Sequence, residues 1–510
     1  MRWRGAPVFG LALIALGAMM AAPAALAWAE GDGAGAAAFG YSALVTLAAG
    51  FLLSVAMRRR ADGREAPASG EFLTLLAILA LCPVAAAAPV AAAAPFLAFE
   101  GAYFEMVSMM TTTGATVFDR LGETSAAIRL WRVLVAGFGG FVALAMAWAL
   151  LAPRSLGGFE VRADQGRSTA IGRLAGDPVW AGGRPVEAAG DRLSAAVRSV
   201  LPVYAGLILA LSLIFSALGH APLEAFAGAV GLMSTSGVRV SDGPAFAASG
   251  FSGELVAAAA LVLAVTRHTY GGTGRPPFEF RAMRTDPELR LLAAVVLTVT
   301  LWFHLRHWLG VLDLEDGAGQ GAFRAFWGAL FTTLSFATTT GYHSADWAAA
   351  RAWSGLDNPA LVLLGLAVMG GGVATTAGGI KLLRAYALYR HGARELERLV
   401  RPSSIQGAKE GRRGLRREGA QIAWVFVMLF IIALAFAMLG VSLTGVAFEP
   451  GLAAAVAAIS NTGPLFQTMT GGSWLTSLTP EARGVLVVAM IVGRVEILAL
   501  IAMMNAETWR

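Results

Sequence analysis

The chain has 510 residues, of which 57% are apolar and only 14% charged, with a mean hydropathy of +0.65; these values place it in lipid and leave no long hydrophilic stretch for a separate soluble domain. The formal charge of +6 comes from bases gathered in short loops between apolar runs, a positive-inside pattern and not a nucleic-acid footprint. One cysteine, Cys82, lies in an apolar run before Pro83, which excludes an intrachain disulfide and a CxxC metal knuckle and leaves a small buried apolar residue.

Windows of about 20 apolar residues, the length a bilayer core requires, predict ten spans, near 6–27, 38–57, 71–95, 129–153, 197–219, 252–269, 289–311, 358–388, 421–445 and 483–505. The basic start, the apolar run and Ala25 to Ala29 imitate a secretory signal with its cleavage site. That run exceeds the roughly 7 to 15 residues of a signal core, which favours a retained first helix. Arg2 and Arg4, Arg58 to Arg60 with Arg64, the loop from Arg154 to Arg192, Arg275 to Arg290, and Arg390 to Arg417 alternate with charge-poor connections. All five groups fall on one side if both termini are cytoplasmic.

Four of the outer connections are themselves apolar yet too short to cross. They run over Phe104–Ala115, Phe226–Val238, Phe331–Tyr342 and Ala453–Pro464, and each closes on hydroxyl or amide residues and one glycine, Gly114, Gly237, Gly341 or Gly463. Those glycines are 123, 104 and 122 residues apart (114 to 237, 237 to 341, 341 to 463), each between two spans. The pattern predicts an all-α polytopic membrane protein: four pseudo-repeats of membrane helix, re-entrant pore helix, filter loop and membrane helix around one central pore, with two extra N-terminal membrane helices. The expected division is 1–65 for the two additional helices, 66–160 for repeat 1, 161–280 for a cytoplasmic loop and repeat 2, 281–400 for repeat 3 with an intramembrane loop at 370–379, and 401–510 for a cytoplasmic loop and repeat 4.

Non-helical backbone at membrane depth is tolerated only where it is buried in protein or lines a wet cavity. Four such segments from one chain satisfy one another around an axis, where stacked carbonyl and hydroxyl oxygens replace the hydration shell of a monovalent cation. Glycine suits the turn because it reaches positive φ. A half-helix with its C-terminus toward the axis adds partial negative charge, and Glu100, Glu105, Glu224 and Glu449 are expected to complement the outer N-termini; the third repeat has Arg324 instead.

Several motifs resemble the TrkH/TrkG branch of the Trk/Ktr/HKT superfamily of cation transporters: Thr111-Thr112-Thr113-Gly114-Ala115-Thr116, Trp131-Arg132, Gly139-Gly140 at a span start, Gly370-Gly371-Gly372, Gly378-Gly379-Ile380-Lys381, Arg394-Glu395-Leu396, Asn461-Thr462-Gly463-Pro464, Gly493-Arg494-Val495-Glu496 and Thr508-Trp509. The resemblance spans essentially the whole chain. It implies a potassium uptake subunit of the inner membrane, a homodimer with one pore per protomer, potassium as substrate and no bound cofactor. The two extra N-terminal spans suit this branch better than those that lack them. Carried over from the family, the potassium-coordinating residues are Thr112, Thr113 and Gly114; Thr235, Ser236 and Gly237; Thr339, Thr340 and Gly341; and Asn461, Thr462 and Gly463. The second loop departs from the family's Thr-Gly-Gly-Phe-like wording, with Ser236 before its glycine and Val238 after it.

In the eighth span, Gly370, Gly371, Gly372, Thr375, Thr376, Gly378 and Gly379 precede Lys381, and each interior glycine costs a helix about 1 kcal/mol relative to alanine. Either these small residues allow close helix packing, or, as the resemblance implies, the segment is an intramembrane gate loop beneath the filter. Arg494 lies inside the last span, where a charge costs about 2.5 to 3.5 kcal/mol and needs water or a partner. The resemblance makes it an electrostatic barrier in the pore; the alternative is a structural salt bridge, though not simply with Glu496, which is on another helix face. Between Lys381 and Arg417 there are eleven Lys or Arg and three Glu. This stretch faces anionic lipid or, as the family implies, docks a cytosolic TrkA-type nucleotide-binding subunit. No Walker A or GxGxxG turn occurs in the chain itself.

Two other readings compete. His304 and His307 share a spacing that suits a metal, but HExxH and DDxxD are absent and the pair sits among Trp302, Phe303 and Trp308, so an interfacial belt is preferred to a membrane-embedded metalloenzyme. A sodium-permeable or sodium-coupled transporter is the nearer alternative, because selectivity depends on filter geometry.

Overall fold

A computed structural model describes residues 8–58, 68–152, 158, 189–271, 276–310, 318–356, 358–400, 417–470 and 474–496. Among them every regular element is helical. The principal helices are α1 (Val8–Met19), α2 (Ala21–Ala29), α3 (Gly33–Arg58), α4 (Ala68–Ala93), α5 (Phe99–Met110), α6 (Ala126–Met146), α7 (Ala189–Ala217), α8 (Pro222–Met233), α9 (Gly250–Ala264) and α10 (Pro287–Gly310). They continue as α11 (Ala318–Ala337), α12 (Ala360–Met369), α13 (Leu382–Val400), α14 (Arg417–Ser442), α15 (Phe448–Ile459) and α16 (Pro480–Val495). Among the described residues, seven stretches are long and apolar enough to cross a membrane: Val8–Ala29, Gly33–Met57, Gly70–Ala93, Ala126–Leu151, Arg192–Ala217, Pro287–Leu305 and Gly419–Ser442.

Of the other three predicted spans, two are shorter in the structure. The span expected over 252–269 stops at Ala264, because Thr266 turns extended and its side chain accepts a hydrogen bond from His268 N, starting a separate turn at Arg267–Tyr270. The span expected over 358–388 breaks after Met369, where Gly370 adopts φ 72° and ψ 178°, a conformation essentially confined to glycine. The last span begins at Pro480, with Thr479 accepting from Ala482 N as its cap; its continuation over 497–505 lies outside the described residues.

Helix starts follow local chemistry. Ser125 caps α6 by accepting from Ile128 N at 3.4 Å, and Pro222 opens α8 at a position whose N–H has no helical partner. The end of α6 widens into a π-turn over Ala147–Leu151. The third inner helix is not the short half-helix expected: α11 has 20 residues against 12 in each of α5, α8 and α15.

Packing has a cyclic order. The inner helices α5, α8, α11 and α15 each lie between two flanking helices: α4 and α6, α7 and α9, α10 and α12, α14 and α16. The second flanking helix of each group also packs against the next inner helix, α6 on α8, α9 on α11 and α12 on α15, and α16 returns to α5. The N-terminal helices stand outside this ring: α1 and α3 pack on α4, and α2 packs on α6. Burial matches the arrangement, with α15 fully buried from Ala453 to Ile459, whereas Leu44, Val45, Phe51 and Leu52 of α3 are exposed to what would be lipid.

Candidate functional site: a ring of four loops

All four inner helices end alike. Thr111, Ser234, Thr338 and Ser460 donate their backbone N–H to the carbonyl four residues back, at 2.8 to 3.0 Å. The next residue, Thr112, Thr235, Thr339 or Asn461, turns left-handed with φ of 54°, 50°, 62° or 52°. Three of these are β-branched threonines, for which positive φ is a true outlier costing about 1 to 3 kcal/mol. Such strain persists only where surroundings fix it. Here the hydroxyl of the following residue is tied back to the helix end: Thr111 with Thr113 at 2.8 Å, Ser234 with Ser236 at 2.8 Å, Thr338 with Thr340 at 3.3 Å, and Ser460 with Thr462 at 3.2 Å. The cap residues Thr111, Ser234, Thr338 and Ser460 were not singled out from sequence, although a Ser or Thr three places before every glycine was the available signal.

The glycines bring the loops together. A Cβ on Gly114 would collide with Ser236 O, one on Gly237 with Thr340 O, and one on Gly463 with Thr113 O and Ala115 N; Gly341 faces the Pro464 ring instead. The loops therefore touch in the order first, second, third, fourth and back to first, closing a ring. The quarters are unequal. Gly114, Gly237 and Gly341 have positive φ, whereas Gly463 does not. In the first three loops the glycine N–H bonds back to its own inner helix, but Gly463 N donates to Thr113 O at 2.6 Å. Asn461 Nδ2 donates to Thr113 Oγ1 and to Met490 O, both at 3.0 Å, which ties the fourth loop to the first and to α16.

The segment 370–381 lies against the inner side of this ring. It is non-helical, with Gly370, Ala374, Gly379 and Lys381 at positive φ. Gly378 N donates to Thr339 Oγ1 at 2.9 Å, and Thr235 Oγ1 donates to Thr376 Oγ1 at 3.1 Å, which in turn donates to Met233 O at 3.2 Å. Gly378 also abuts Ser460 O with no room for a Cβ. Within the segment, Thr375 Oγ1 donates to Gly372 O at 2.7 Å and Leu382 N to Gly371 O at 3.0 Å. Close helix packing through these glycines is therefore not their arrangement.

Arg494 reaches the same segment, its guanidinium donating to Thr376 O, while its Nε and Nη2 are buried with no hydrogen-bond partner among the described residues. The structural salt bridge considered from sequence is not formed among the described residues; Glu496 pairs with Arg384 at 2.9 Å, and Arg384 stacks 3.6 Å over the Phe426 ring. Lys381 Nζ donates to Ala377 O. Lys381, Arg494 and Glu496 line one cavity beside the segment, with Gly378, Gly379 and Gly493.

Buried carboxylates brace the outer side. Glu105 does not serve a helix N-terminus as expected: fully buried, it pairs with Arg132 at 2.6 Å and accepts from Val117 N at 2.8 Å, just past the first glycine. Glu254 does the same beyond the third, accepting from Ser344 Oγ at 2.7 Å, Ala345 N at 2.6 Å and Trp327 Nε1 at 2.7 Å. Glu100, Glu224 and Glu449 do stand in first turns, and Arg324 is exposed. The Gly139-Gly140 pair lies in the middle of α6, not at its start, and lets Met110 O and Ser234 approach. His304 stacks on Trp353 at 5.5 Å between ring centroids; the His307 side chain, the basic residues 401–416 and Thr508-Trp509 lie outside the described residues. No group of three or more His, Cys, Asp or Glu side chains suited to a metal occurs among the described residues.

The described residues thus form a helical protein with several membrane-length helices, in which four inner helices converge on one ring of polar loops. A family model described as "TrkH: Cation transport protein" matches residues 289–508. The Trk system potassium uptake protein TrkH of Salmonella typhimurium is 28% identical over 99% of this chain and 98% of its own, and TrkG of Escherichia coli is 25% identical over 81% and 80%. The crystal structure of the potassium transporter TrkH from Vibrio parahaemolyticus superimposes with a TM-score of 0.79 at 24% identity, covering both chains completely. The chain is thus similar over nearly its whole length to proteins named as potassium uptake proteins, and matches the cation transport family over residues 289–508.

Proposed function

We propose that the chain takes up potassium across the bacterial inner membrane through a channel-like pore whose selectivity filter is the ring of four loops. The observation that carries this reading is the ring itself: four helix ends of one conformation, each closed by a glycine, with Ser236 O, Thr340 O and Thr113 O at three of the four loop contacts. Because the hydroxyls of Thr113, Ser236, Thr340 and Thr462 are engaged by the helix caps, coordination at those positions falls to backbone carbonyls, the group that replaces potassium's hydration shell. The relatives' names state potassium uptake.

In this reading segment 370–379 is the gate, supported by its bonds to Thr235 and Thr339, and Arg494 is a positive barrier beneath the filter. The membrane potential supplies the driving force, about 2.3 kcal/mol per charge per 100 mV. Both termini are cytoplasmic, the chain divides into units near 1–65, 66–160, 161–280, 281–400 and 401–510, and it works as a homodimer. The basic stretch after Lys381 docks a TrkA-type nucleotide-binding regulator, since no phosphate-binding motif is present in the chain itself.

Expression in a bacterium lacking its own potassium uptake tests the reading. Growth at low potassium, with rubidium entering and sodium excluded, is the expected result; failure to rescue despite membrane insertion, or uptake of sodium alone, would overturn it.

A further inference from the structure

A buried charge cluster at the foot of α9 and α10 touches the segment below the ring. Arg267 in the turn after α9 donates to Asp286 Oδ2 at 2.8 Å and to Glu288 Oε1. His268 Nε2 lies 2.8 Å from the same Asp286 oxygen. Asp286 also accepts from Glu288 N at 3.1 Å, which fixes the first turn of α10. The second oxygen of Glu288 points elsewhere: Oε2 accepts from Val373 N at 2.8 Å.

Val373 follows the three glycines that break the eighth span. Gly372 lies between Val265 O and the Glu288 carboxylate, and a Cβ there would collide with the former and come within 2.9 Å of the latter. The backbone of the segment is thus brought onto a carboxylate that a guanidinium already orients. Glu288 is 3% exposed and Arg267 6%, so this is a charge-assisted bond sheltered from water, the stronger kind. Nothing in the filter or in the barrier at Arg494 requires it.

We propose that Glu288 is a positioning residue for the gate: held by Arg267, it anchors the Gly370–Val373 limb of the segment in the obstructing position. The inference rests on the gate reading above. Opening then requires Val373 N–H to leave the carboxylate, so removing the acceptor favours the open arrangement. The carboxylate touches no ion path described for the ring, and its loss is expected to change how often the pore conducts, not what it conducts.

The test is rubidium flux into liposomes containing the full purified chain without a regulator, for wild type, Glu288→Ala, Glu288→Gln, Gly372→Ala and a deletion of 370–379. Loss of one buried charge-assisted bond predicts a rise of about tenfold for Glu288→Ala, with the rubidium-to-sodium ratio unchanged. Glu288→Gln, which keeps an acceptor oxygen, is expected to raise flux less. Gly372→Ala, which pushes the limb off its seat without removing a charge, is expected to raise it and covers the case in which Glu288→Ala does not fold. Combining Glu288→Ala with the deletion is expected to add nothing, an outcome that a merely structural role would not give. Raised flux in the deletion with unchanged or lowered flux in Glu288→Ala and Gly372→Ala overturns the anchor and leaves the gate reading standing. An additive double variant also overturns the anchor. No rise in the deletion itself overturns the gate reading and the anchor with it.

Discussion

Arg132 and Glu105 are both fully buried and meet at 2.6 Å, whereas Arg120 and Glu123 meet at 2.7 Å with about seven-tenths of each side chain exposed. Equal distances do not mean equal energies. Glu105→Leu is expected to destabilise the protein by about 3 to 5 kcal/mol, since it strands a buried guanidinium, while Glu123→Leu should cost at most about 1 kcal/mol; thermal unfolding in detergent compares them. Arg494 is the converse case, a buried cation with no carboxylate partner and two unpaired nitrogens among the described residues. Arg494→Ala is expected to raise rubidium flux severalfold, at least about twofold, with selectivity intact; unchanged flux would remove the barrier role. Arg494 stood out in the sequence because a charge inside an apolar span needs water or a partner. Glu105 was misread, because spacing along a helix shows the face of a side chain but not its partner 27 residues away.

The broken helix between α12 and α13 was legible for a similar reason. Five glycines within ten residues, 370 to 379, conflict with any regular helix. What the segment touches was not legible. Thr235, Thr339 and Glu288 lie 141, 39 and 85 residues from their partners in it, and no local pattern encodes those distances. Deleting 370–379 is expected to raise basal flux, and unchanged flux in liposomes would remove the gate assignment. The π-turn at Ala147–Leu151 and the full length of α11 also escaped the sequence reading, since apolar runs there look the same whether helix, π-turn or re-entrant segment is formed.

At the scale of the molecule, four separated Thr/Ser-Gly motifs suggested a common axis, and the packing of α6, α9, α12 and α16 each on the next inner helix is the physical means of closing it. The inequality of the fourth quarter was half legible: Asn461 in place of threonine was visible, but Gly463 N occupying Thr113 O was not. One carbonyl of the ring is therefore shared with a backbone donor in this arrangement. The ring is most directly tested by potential-driven rubidium uptake into liposomes holding the purified chain, with potassium or sodium as competitor, for wild type and Gly237→Ala. Gly237 is chosen because a side chain there meets both Thr340 O and the Pro464 ring. Potassium, not sodium, is expected to suppress uptake by the wild type, and Gly237→Ala to lose the discrimination by about tenfold or more, since any added atom displaces the carbonyl. Equal competition by sodium in the wild type, or selectivity undisturbed in Gly237→Ala, would contradict that expectation.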